Sequence, residues 1–150
     1  MQDGTYLQYA EQALDYGVMG ILIVMSIVTI WLFIERLMYL NSVDVTAYEH
    51  RDILEVDLSD NLGTIGAIGS NAPYVGLLGT VLGIMITFYT MGDVGTVDAK
   101  KIMVGLALAL KATAMGLVVA MPAIAFYTII LRKIERLMAI FDAHEAEKAS

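Results

Sequence analysis

The Thr80, Thr87 and Thr113 hydroxyls and the Lys111 ammonium stand deep in the two later apolar runs of this chain. Thr80 and Thr87 lie in the 32 residues of 61–92, which hold no charged side chain; Thr113 lies in 102–131, whose one charge is Lys111. A hydroxyl both donates and accepts a hydrogen bond, and an amine pairs with a carboxylate, so these groups offer proton chemistry where apolar neighbours offer none. The bland fate of such a threonine is to bond back to the carbonyl one turn earlier in its own helix. Thr80 and Thr113 have a second possibility. On antiparallel neighbouring helices they sit at related depths, Thr113 sharing a face with Leu106, Leu110, Leu117 and Ala120, and Thr80 with Pro73, Leu77 and Thr87. Such faces suit the lining of a narrow pore, or a groove for another helix that bears an ionisable group.

Lys111 is two residues from Thr113, roughly 200° around the helix, and so points elsewhere. Two roles are open to it. Its stem can run along apolar surface toward the outer interface, or its ammonium can pair with a carboxylate and respond to proton passage. No acidic residue of the chain falls within its own apolar runs at that depth, so another subunit is expected to supply such a partner.

The elements that must hold these groups are membrane helices. At about 1.5 Å per residue, 102–131 is roughly 45 Å long, more than the roughly 30 Å that a hydrocarbon core requires. The chain is 58% hydrophobic with positive mean hydropathy, and its formal charge of −7 is carried almost entirely outside the apolar runs. One all-α integral membrane unit over 1–150 is expected, with three transmembrane helices, the later ones long and extending into the cytoplasm. There is no cysteine, hence no disulfide and no thiolate metal site. His50 has no second histidine nearby, and no metal or other cofactor is expected.

In chain order, 1–16 reads as an amphipathic surface helix with tyrosines at headgroup level, and 17–34 as the first span, closed by Glu35 and Arg36. Its start is acidic and lacks Lys and Arg, unlike a cleaved signal peptide. Residues 35–70 form an acidic connection in which Leu54, Leu58 and Leu62 recur every fourth position, the mark of a short helix resting on another. The second span is 71–92, with Pro73 fitting its first turn. A short loop at 93–101 makes its neighbour, the third span at 102–131, antiparallel. Residues 132–150 continue as an amphipathic helix, and Pro122 should bend the third span.

Small residues at helical spacing give the second and third spans bare faces: Gly76, Gly79 and Gly83 on one, Ala112, Gly116 and Ala120 on the other. Such faces let helix axes approach closely where lipid supplies no hydrophobic drive. Two of them exceed what one three-helix hairpin needs, so the packing implies partners. Lys and Arg number two on the side of the N-terminus and the 93–101 loop, against six on the other side, which predicts an outside N-terminus and a cytoplasmic C-terminus. No nucleophile with a base, phosphate loop or ligand cluster is present, so no enzyme is expected, nor binding of nucleic acid.

The stretches NAPYVGLLGTVLGIMITF at 71–88 and GLALALKATAMGLVVAMPAIAFY at 105–127 resemble the paired signature of the MotA/TolQ/ExbB proton-channel family, nearest its ExbB branch in a short form. The resemblance implies a pentamer in the bacterial inner membrane whose second and third helices surround a pore. Within the pore it implies transmembrane helices of an ExbD-like single-span partner, with proton flow coupled to a TonB-like protein that energises outer-membrane import, iron uptake included. By position, Thr80 and Thr113 match the family's pore threonines, beside the partner's ionisable aspartate. Two departures stand out: Leu108 replaces a glutamate that many relatives carry, and Lys111 replaces a neutral residue. Both leave the partner's aspartate as the proton carrier. Two alternatives remain, a TolQ-like subunit serving envelope integrity and a non-conducting membrane scaffold.

Overall fold

The computed structural model describes residues 3–92 and 99–150, so part of the expected 93–101 loop and the first two residues lie outside the described residues. The described residues form four α-helices and no strand: α1 at Asp3–Ser42, α2 at Arg51–Ser59, α3 at Leu62–Gly92 and α4 at Ala99–Lys148. Among them α1, α3 and α4 are long and apolar enough to cross a membrane.

α1 continues through Gly17 without a break, so the acidic N-terminal stretch and the first apolar run are one rod. α3 begins nine residues before the expected span, in the glycine-rich stretch. Pro73 therefore lies inside the helix and not in its first turn. α4 runs through Pro122 as a single element.

The acidic connection folds by local chemistry. Asp44 accepts from the Thr46 amide at 3.0 Å and the Thr46 hydroxyl at 2.6 Å, capping a 3-10 turn at Val45–Ala47. Those bonds favour the ionised carboxylate and hold Asp44 below its ordinary range. Between α2 and α3, Asn61 takes a left-handed φ of 59°, which asparagine tolerates, and the helix path is broken for two residues. α3 then continues along α4 in the same sense as α2, with Arg51 on Asp142 and Gly66 on Tyr127.

Leu54 and Leu58 of α2 are wholly buried, joined by Leu62 and Ile65 of α3, Leu32 and Leu40 of α1, and Ile130, Ile134, Met138 and Phe141 of α4. Burying a leucine side chain is favourable by about 2 kcal/mol, so this core ties all four helices together. Arg36 lies at its edge, buried, with its guanidinium on Glu35 at 2.7 Å, Asp60 at 3.3 Å and the Asp57 carbonyl at 3.2 Å. Outside the core, α1 shows Ile23, Ile27, Trp31 and Ile34 to its surroundings, a face that water would not tolerate and lipid would.

Candidate functional site

The far half of the bundle is built differently. There α3 and α4 run antiparallel, and their contact is backbone on backbone. A Cβ added to Gly76 would come 2.5 Å from the Ala112 carbonyl oxygen, and one at Gly116 would come 2.7 Å from that of Ala72. Farther along, Gly83 faces Ala109, and Gly105 faces the Thr87 side chain. Gly79 is turned toward α1, between Val18 and Ala112. Ala72, Ala112, Val119 and Ala120 join Val18 and Leu22 in the small core that docks α1 on this seam.

Within the seam the structure brings Thr80 and Thr113 together, hydroxyl to hydroxyl. The Thr80 oxygen also lies 2.9 Å from the Ala109 carbonyl across the seam and 3.4 Å from the Gly76 carbonyl in its own helix. One proton assignment satisfies all these atoms. Thr80 donates to Ala109, Thr113 donates to Thr80, and the Thr113 oxygen keeps a lone pair for a donor from outside. Thr80 is buried, whereas Thr113 is half-buried beside exposed Leu77, Leu110 and Leu117. The pair is thus one polar point on an apolar surface.

Thr87 does not join that pair; it donates to the Gly83 carbonyl at 2.9 Å. Leu108 turns toward α1, where with Glu11, Leu14, Asp15, Gly79 and Gly83 it lines a cavity of about 310 Å³. Pro122 is exposed and touches neither group.

Lys111 corrects an expectation. Its Nζ meets the carboxylate of Asp15 in the same chain at 3.3 Å, so no other subunit is needed to supply an acidic partner. The reason is the unbroken α1, which carries Asp15 up beside α4. Sequence reasoning also missed Gly105 and Ala109, although they continue the small-residue spacing of Ala112 and Gly116. The signal was present, one and two turns before the residues singled out.

A family model described as MotA/TolQ/ExbB proton channel family matches residues 31–143. The chain is 45% identical over 144 residues to the "Biopolymer transport protein ExbB" of Aquifex aeolicus, covering 96% of this chain and 97% of that protein. It is 52% identical over 130 residues to the protein of the same name in Helicobacter pylori J99, covering 87% and 90%. To the "Putative biopolymer transport protein ExbB-like 2" of Helicobacter pylori 26695 it is 48% identical over 132 residues, covering 88% of each.

Proposed function

This chain belongs to the MotA/TolQ/ExbB proton channel family and is a multi-pass membrane protein, and from that premise we propose that it is the pore-forming subunit of an inner-membrane motor. Copies of the chain, five by analogy with the family, surround single-span helices of an ExbD-like partner. Proton flow then drives a TonB-like protein that energises import across the outer membrane. The N-terminus faces the periplasm and the C-terminus the cytoplasm, as the distribution of Lys and Arg suggests.

The observation that carries this reading is the Thr80–Thr113 pair. Two hydroxyls bonded across a glycine seam, with the Thr113 oxygen half-open among leucines, form a fixed polar contact on an otherwise dry wall. A carboxylic acid on a helix seated against that wall would donate to Thr113. Its ionised form would instead accept from it, once the hydroxyl chain reverses. The chain contributes no carboxylate of its own at the pair, so the carrier is the partner's acid and the threonines stabilise it in both protonation states.

Co-expression with the adjacent genes, followed by the native mass of the purified complex, tests the assignment. Five copies retaining a small single-span partner are expected. An assembly that never retains a partner would overturn the motor and favour a membrane scaffold.

A further inference from the structure

Charged residues bracket the apolar length of two helices at the same interval. Asp15 and Arg36 of α1 are 21 residues apart, and so are Lys111 and Arg132 of α4. At about 1.5 Å per residue each interval spans roughly 32 Å, close to the thickness of a hydrocarbon core. Between Lys111 and Arg132 there is no charged residue, and between Asp15 and Arg36 only Glu35, next to Arg36.

The two helices run parallel, and three contacts along their length hold their register to within about one turn. Asp15 meets Lys111 at 3.3 Å, Phe33 stacks on Phe126 with centroids 4.0 Å apart, and Lys133 bonds Asn41. The four bracketing charges therefore fall in two bands, Asp15 with Lys111 in one and Arg36 with Arg132, within about one turn of each other, in the second. Between the bands the outward surface is apolar, with Ile23, Ile27 and Ile34 on α1 and Val118, Ile124 and Ile129 on α4. Beyond the Asp15–Lys111 band α1 carries Glu11, whose carboxylate belongs in water or at headgroup level.

We infer that Asp15 and Lys111 mark the outer edge of the hydrocarbon and act as a positioning pair that fixes the height at which α1 grips the α3–α4 hairpin. The inference rests on the membrane-spanning reading, and it holds whether or not the threonines conduct. Three consequences follow. From Lys111 back to Ala99 is twelve residues, so roughly 18 Å of α4, with the matching end of α3, stands outside the hydrocarbon despite its apolar sequence. The Thr87–Gly105 contact lies in that projecting end. The Thr80–Thr113 pair lies within one turn of the outer edge, and the cavity opens at that height, its walls mostly apolar but with Glu11, Gln12 and Asp15 to hold water and room enough for it. A proton carried by a partner's acid at Thr113 then has only a short way to the outer aqueous phase.

The chain has no cysteine, so single cysteines report position directly. Met103 and Val118 are 70% and 58% exposed within the chain and lie on opposite sides of the Lys111 band. The probe is a membrane-impermeant maleimide, applied from outside to the whole complex and to the full chain alone in bilayers, which separates shielding by another chain from burial in lipid. Met103→Cys in the chain alone is expected to react more than roughly tenfold faster than Val118→Cys, because the reactive thiolate forms in water. Equal rates would overturn the boundary. As a check on positioning, Lys111→Asp should lower the yield of folded complex and Asp15→Lys added to it should restore the yield; failure to restore would overturn the pair's role.

Discussion

The glycine seam around Gly76 and Gly116 and the core around Leu54, Leu58 and Ile130 are both helix–helix contacts, yet they spend the sequence in opposite ways. In the core, large side chains from four helices fill a closed interior, and the chain satisfies itself. In the seam the side chains are removed so that two backbones meet, and the bulky residues that remain, among them Leu77, Leu110 and Leu117, point outward. Burial holds the first region; proximity holds the second. A region built by proximity can place two hydroxyls in contact and leave an apolar wall beside them for lipid or another helix.

Disrupting the seam should have the largest effect. Gly76→Leu puts a branched side chain where even a Cβ would sit 2.5 Å from a carbonyl oxygen, so α3 and α4 cannot close and no complex should be recovered by size-exclusion chromatography. Recovery of intact complex would show that the seam tolerates separation. Ile130→Ala, at a wholly buried position of the core, should cost about 2–5 kcal/mol and lower the unfolding midpoint while assembly survives. Gly63→Ala sharpens the contrast: nothing lies within 4 Å of a Cβ there, so stability should change by no more than about 1 kcal/mol.

The smallest effect concerns the connection. Tyr48 shares hydrogen bonds with the Tyr39 hydroxyl at 3.2 Å and the Asp57 carboxylate at 2.9 Å, and these raise its pKa, Tyr39 more than Asp57. The folded state thus favours the neutral phenol. That contribution is fully present below the ordinary value of 10 and is lost as the pH rises toward the elevated folded value. Tyr48→Phe should cost at most about 1 kcal/mol at neutral pH and remove this alkaline dependence, as read from unfolding midpoints across the range.

Much of this arrangement is legible in the residues. Run length and hydropathy mark the three membrane helices, the four-residue leucine spacing marks α2, and the glycines mark the seam. Thr80 and Thr113 are visible as hydroxyls on antiparallel neighbours. What periodicity cannot supply is register between helices that are distant in sequence. The Lys111–Asp15 pair joins residues 96 apart on α4 and α1, and nothing local to either helix specifies it. Helix starts are equally hidden where glycines precede an apolar run: α3 takes in the stretch from Leu62 because Leu62 and Ile65 have a core to enter, which a propensity argument does not see.

The most direct test of the central claim replaces both hydroxyls by methyls of the same shape. In cells carrying the full complex, Thr80→Val with Thr113→Val should abolish energised uptake while the amount and native mass of the complex stay unchanged. Uptake retained at the wild-type rate would contradict the account and remove the threonine pair from the proton pathway.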